Sequence, residues 1–234
     1  IYKQMRTIAA NPLKFFLLAG IVFGVVIVAL HPPFYGLDER AHYMRAYEVA
    51  QGKFAPTEVG PNHRPGAYLP ENLVQFVSTT TGNLSHIVNN PSPNVLDKHY
   101  GNWSSYTPYF HQRFSSQKED NFVSDDQLSG TYAYNPIGYV VLGAGVKAGQ
   151  LLRLPIAYNV YLTRLVGLAS FIVVAAFAIK IIPRYKWTLA IVALLPVTLY
   201  QAATISVDGL ILAATFLLFA LFFRLREQKG SARL

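Results

Sequence analysis

Long apolar runs, rather than short-period alternation, organise this chain. Residues 13–35 (LKFFLLAGIVFGVVIVALHPPFY) are almost uncharged and follow Lys3, Arg6 and Lys14. They are long enough to cross the ~30 Å of hydrocarbon in a bilayer, which takes about 20 residues of helix. Three later runs, at about 157–182, 187–205 and 207–223, have the same character. Between the first and second run lies a mixed segment with two shorter helical patterns. In the stretch 38–54, with a helix at about 38–53, Tyr43, Ala46, Tyr47, Ala50 and Phe54 fall on one arc, while Asp38, His42 and Arg45 share another face. In residues 136–152, Tyr139, Gly143, Lys147 and Gln150 make a narrow polar stripe on an otherwise apolar helix. Asn135 is placed to cap that helix, with Pro136 at its first position.

Charge decides how these runs thread. Residues 36–135 carry ten acids and seven bases, and the rest of the chain carries two acids and thirteen bases. The basic excess therefore flanks the apolar runs, as the positive-inside rule requires, and no basic-aromatic patch for nucleic acid is visible. If residues 136–152 lie in the outer interface, the 183–186 loop and the basic tail both fall inside and the rule holds throughout. If they span, both fall outside. The interfacial assignment gives an all-α integral membrane protein with four transmembrane helices, two outer juxtamembrane helices and a large extracytoplasmic loop. Its parts are residues 1–35 (cytoplasmic N-terminus and first span), 36–156 (the outer segment) and 157–234 (three spans and a cytoplasmic tail). No small-x-small cleavage site follows the first run, so it is read as an anchor rather than a signal peptide. The chain begins without methionine and stops soon after a span, so a piece of a longer protein is expected.

The outer segment is polar but aromatic. Tyr68, Tyr100, Trp103, Tyr106, Tyr109, Phe110, Phe114, Phe122, Tyr132 and Tyr134 are spread among Gly, Pro, Asn and Ser. Disordered linkers are poor in aromatics, so an ordered, loop-rich cap is expected. There is no cysteine, which excludes a disulfide framework or thiolate metal site. His31, His42, His63, His86, His99 and His111 show no compact ligand spacing. Asn83 and Asn102 begin Asn-x-Ser triplets, a pattern too short to carry weight.

The candidate chemistry clusters at the ends of the spans. Asp38 and Glu39 follow the first run, and Asp208 in TISVDGL opens the fourth on the same side. Each acid has a competing role at the start of a helix, Asp38 and Asp208 as caps and Glu39 as a partner of the helix dipole. A hard divalent cation such as Mg²⁺ or Mn²⁺ on Asp38, Glu39 and Asp208 also stays open, since it needs only carboxylates and substrate phosphates. Arg164, about seven residues into the second span, is costly there unless it snorkels or meets an anion. A lipid phosphate or diphosphate suits its guanidinium fork.

The stretch Pro33-Phe34-Tyr35-Gly36-Leu37-Asp38-Glu39-Arg40-Ala41-His42, followed by Arg45-Ala46-Tyr47 and Gly52, resembles the bacterial membrane family catalogued as domain of unknown function 2142. Tyr134-Asn135-Pro136-Ile137-Gly138-Tyr139 and Ser206-Val207-Asp208 resemble that family as well. The wider layout is similar to the GT-C superfamily of glycosyltransferases, of which this would be a partial architecture. That resemblance implies a transferase at the outer face of the plasma membrane, moving sugar from a polyprenyl-phosphate-linked donor to a cell-envelope glycan acceptor. It implies Asp38 as general base or metal ligand, Glu39 assisting it, and Arg164 on donor phosphate. For His42, Arg45, Lys147 and Asp208 it implies only a place near substrate. The competing classes are a membrane-anchored glycan-binding or scaffold protein and a lipid or glycan transporter.

Overall fold

The computed structural model describes residues 11–59, 64–79, 106–115, 121–124 and 130–231. The expectations at Tyr100, Trp103, His63, His86, His99, Asn83 and Asn102 lie outside them. In chain order the elements begin with α1 (Pro12–Leu30), α2 (Glu39–Ala50), β1 (Thr57–Val59) and β2 (Arg64–Leu69). There follow α3 (71–79), a 3₁₀ turn at Thr107–Phe110, β3 (Asn121–Ser124), and 3₁₀ turns at Thr131–Ala133 and Pro136–Tyr139. The remaining helices are α4 (Val140–Leu151), α5 (Ile156–Ile181), α6 (Lys186–Ala193), α7 (Pro196–Ala203) and α8 (Asp208–Ser231). The chain falls into two compact units, residues 1–29 with 165–234, and residues 30–164.

The first unit is built as a bilayer demands. Along α1 only Phe16, Gly20, Gly24 and Val28 are buried, a stripe at every fourth residue. Leu18, Ile21, Val22, Phe23, Val25, Val26 and Leu30 are apolar yet exposed. Small residues at such spacing let helices approach closely where lipid offers no hydrophobic drive to associate. A Cβ on Gly24 would sit 2.7 Å from a methyl of Leu168 on α5. Three helices, α1, α5 and residues 208–228 of α8, are long and apolar enough to cross a membrane. The expected third span at 187–205 is instead a pair, α6 and α7, bent by 59°. Pro196 is the cause: it has no N–H to donate, and Leu195 before it adopts the extended conformation (φ −55°, ψ 139°) that a following proline imposes. Among the described residues this makes three candidate spans, or four if the bent pair crosses as one.

The second unit differs more from expectation. A three-stranded antiparallel sheet, ordered β1-β2-β3, joins its helices. Register pairs Glu58 with Pro65 and Ala67 with Val123. Pro65 pairs only toward β1 and lies beyond the β3 ladder, which is how a middle strand keeps a proline. An aromatic core sits nearby: Phe76 stacks on Tyr109 with ring centroids 4.1 Å apart, and Phe34 meets Phe76 at 5.0 Å and Tyr43 at 5.4 Å.

α2 and α4 pack against each other, and the polar stripe of residues 139–150 turns inward except at Lys147, which is exposed. Tyr139 and Gly143 are buried, and Gln150 accepts a hydrogen bond from Gln51 (3.0 Å). Ile137, Val140 and Leu151 are exposed instead. Asn135 caps as expected, its side chain accepting from the Ile137 N–H (3.0 Å) with Pro136 opening the turn. α2 is buried on all sides from Ala41 to Val49, the His42 and Arg45 face included. α4 and the Thr131–Ala133 and Pro136–Tyr139 turns all pack on it.

Asn159, fully buried in the first turns of α5, ties three helices together. It accepts from the Tyr43 hydroxyl (2.9 Å) and donates to the Val146 carbonyl (3.0 Å). Gly149 is needed beside it, because a Cβ there would collide with the Asn159 carboxamide. Asn159→Leu strands two buried polar groups and is expected to lower stability by about 1–3 kcal/mol. Thermal unfolding in detergent measures this, and an unchanged midpoint would refute the tie.

Candidate functional site at the end of the first span

Pro32 and Pro33 end α1, and the chain turns tightly into α2. Two residues of this turn, Phe34 (φ 62°) and Asp38 (φ 52°), lie in the left-handed region, which L-residues other than Gly, Asn and Asp seldom enter. Asp38 is exposed. It occupies the N-cap position of α2, yet its side chain makes no capping bond. The cap role is thereby excluded, and the carboxylate points to no partner within its own helix end.

Its neighbour is the opposite. Glu39 is fully buried and meets Arg164 in a two-pronged pair, Nε to Oε1 and Nη2 to Oε2, both 2.7 Å. Nη1 of Arg164 donates to the His31 carbonyl (2.5 Å) and Nη2 also to the Pro32 carbonyl (2.7 Å). The Gly36 N–H donates to Glu39 Oε2 (3.2 Å). Every guanidinium nitrogen is thus engaged with the turn. Arginine meets its anion here as an internal carboxylate, where a donor phosphate was expected. Burial, then the Arg164 charge, lowers the pKa of the His31 imidazole from its ordinary value.

His42 and Arg45 belong to separate buried networks. His42 Nδ1 lies 2.7 Å from the Tyr139 hydroxyl, with the two rings stacked. Arg45 donates to Glu48 Oε2 (3.1 Å) and to the Lys53 and Phe54 carbonyls (3.3 and 2.6 Å), under the Tyr132 ring. The Tyr132 hydroxyl reaches both Glu48 Oε2 and the Gly66 carbonyl of β2. Burial pushes the Glu48 carboxyl above its ordinary value, against the pull of Tyr132, Arg45 and Lys53. A raised folded value means that this contribution to stability is full below the unfolded value near 4.5 and is lost as pH rises through the folded one. The melting temperature of the wild type, relative to Glu48→Gln, is therefore expected to fall as pH rises from about 4 to 8. A constant difference across that range would exclude the effect.

Lys147 is exposed on α4. Asp208 opens α8 in the other unit, half-buried, its N–H donating to Ser206 Oγ (3.1 Å). It borders a cleft lined by Val197, Thr198, Gln201 and Ile211. The structure thus brings Glu39 and Arg164 together, and sets His42 and Arg45 on neighbouring turns of α2. Among the described residues no three His, Asp or Glu side chains gather as metal ligands. Sequence reasoning missed Asn159 and Glu48. The available signals were an amide early in a span, where polar groups are costly, and a carboxylate three residues after an arginine on one helix.

Apolar helices with lipid-type exteriors and buried polar ties define a multi-pass, mostly helical membrane protein. Residues 21–234 match the family described as "Predicted membrane protein (DUF2142)", and the chain belongs to that family. No similar curated protein and no similar solved structure was found.

Proposed function

We propose that this protein acts as a GT-C-like glycosyltransferase, moving sugar from a polyprenyl-phosphate-linked donor to a cell-envelope acceptor at the outer membrane face. The observation that carries this reading is Asp38: an exposed carboxylate at positive φ, without a capping bond, just past an apolar span. Phe34, in the same turn, holds a positive φ that a bulky side chain disfavours, and such strain gathers at functional sites. In the proposed reaction Asp38 accepts the proton of the acceptor hydroxyl. That oxygen forms a bond to the anomeric carbon as the carbon–phosphate oxygen bond breaks, and polyprenyl phosphate leaves with its electron pair. Where a divalent cation is used, Asp38 is also the natural ligand.

The other residues take supporting parts. Glu39 and Arg164 hold the turn that presents Asp38, and His42 and Arg45 fix α2 behind it. Lys147 offers an exposed cation for phosphate charge, and Asp208 marks the corresponding end of a later helix. Both chain termini lie on the cytoplasmic side in this reading, with the bent α6–α7 pair counted as one span.

The test is transfer of labelled sugar from a polyprenyl-phosphate donor into envelope glycan, in membranes carrying the wild type or Asp38→Asn. Transfer by the wild type and its loss in the variant support the reading. Equal transfer by both removes Asp38 from the chemistry.

A further inference from the structure

Away from the Asp38 turn, a cleft of about 330 Å³ opens between α2, the 112–115 segment and the end of α4. Arg113 and Arg153 line it, with the Tyr47 and Phe114 rings and the carboxamides of Gln51 and Gln150. Both arginines are exposed, and neither forms an ion pair among the described residues. Two guanidinium groups in one concavity, without an ion-pair partner among the described residues, create a local positive potential that favours an anion.

Both walls are fixed in place. Arg153 sits at φ 53°, just past the end of α4. Its N–H donates to the Gln150 carbonyl (3.0 Å) and the Leu154 N–H to the Gly149 carbonyl (2.9 Å). That pair of bonds closes a helix with a left-handed residue, a position usually given to glycine. An arginine stands there instead, its side chain at the cleft. On the other wall, Asn72 clamps Phe114 from both sides, donating to the Arg113 carbonyl (2.6 Å) and accepting from the Ser115 N–H (3.1 Å). The Ile156 N–H donates to the Gln112 carbonyl (2.9 Å), and Phe114 leans on Tyr47 with centroids 5.5 Å apart. Gln51 and Gln150 hold each other at 3.0 Å, and the other end of each carboxamide bonds nothing else among the described residues.

We infer that this cleft is a binding site for a phosphate-bearing sugar. Guanidinium forks match phosphate oxygens two at a time. The carboxamides offer one acceptor and one donor set to hydroxyls, and the aromatic pair gives an apolar wall of the kind that lines ligand sites. The phosphate can come from a soluble or glycan-borne sugar phosphate, or from a lipid headgroup. The binding does not rest on the function proposed above.

The experiment uses the full chain in phosphatidylcholine nanodiscs, with glucose 6-phosphate as probe and glucose as control, read by saturation-transfer NMR. Glucose 6-phosphate is expected to bind at least tenfold more tightly than glucose. Arg113→Gln/Arg153→Gln should erase that preference, and the Lys/Lys pair should retain part of it. A second set of discs contains phosphatidylglycerol. If a lipid headgroup is the natural occupant, these discs weaken glucose 6-phosphate binding through the same arginines; if a sugar phosphate is, affinity is equal in both. Equal affinity for the two sugars, or a preference that survives the double glutamine substitution, overturns the inference. No turnover is involved, so Asp38→Asn should bind the probe as the wild type does, and failure here leaves the transfer reading standing.

Discussion

Arg164→Met is expected to unfold the segment around the first turn, at a cost of about 3–5 kcal/mol, because it leaves the Glu39 carboxylate buried with its charge uncompensated. Glu39 is fully buried, so water cannot take over. The His31 and Pro32 carbonyls lose their donors in the same step. Domains are stable by only about 5–15 kcal/mol in total, so the single variant should fail to yield monodisperse protein. Glu39→Leu should be comparably harmful, since it buries an unpaired guanidinium. The double variant Glu39→Leu/Arg164→Met should recover most of the loss, as apolar replacements of whole buried pairs often do. The coupling from that cycle, read from thermal unfolding in detergent, should exceed about 2 kcal/mol. A coupling near zero would mean that the pair contributes nothing to the fold.

Asp38 should behave in the opposite manner. It is exposed and uncapped, so Asp38→Asn should shift stability by no more than about 0.5 kcal/mol. Loss of a positioned general base typically costs 10²–10⁴ in rate, and a loss of roughly that size in sugar transfer is expected. Asp38→Gly separates the carboxylate from the backbone. Glycine enters the left-handed region freely, so the glycine variant should fold at least as well as the wild type. If the position matters only for its conformation, Asp38→Gly keeps full activity. If the carboxylate does the chemistry, it is as inactive as Asp38→Asn, and this is the outcome expected.

Much of the helical framework was legible because spans announce themselves by length and polarity. α1, α5 and α8 each start within one residue of an apolar run, and α5 also ends so, but α1 stops at Leu30, short of its run at 13–35, and α8 continues to Ser231, past its run at 207–223. The Asn135 cap was readable from local chemistry alone. The bend between α6 and α7 was equally written in Pro196, but an uninterrupted apolar run masks a proline when only hydropathy is followed. The sheet was hidden for a different reason. Its strands are three to six residues long, one carries a proline and a glycine, and β2 finds β3 across dozens of intervening residues. Such pairing leaves little local trace. The site was half visible: the acids and Arg164 could be singled out by position. That Arg164 seizes Glu39 while Asp38 stays outside depends on the twist of one turn, set by Phe34 and Asp38 at positive φ.

The Glu39–Arg164 fork joins positions 125 residues apart, and that span has a consequence in time. Ribosomes add about 5–20 residues per second, so Glu39 is made roughly 6–25 s before the arginine that neutralises it. Helix growth takes about nanoseconds per residue and collapse microseconds, so the first span has time to form long before then. During biosynthesis the turn therefore waits, with a hydrated carboxylate where the finished protein has a dry one. Arrival of α5 is the step that draws Glu39 inward, and with it fixes Asp38 at the surface.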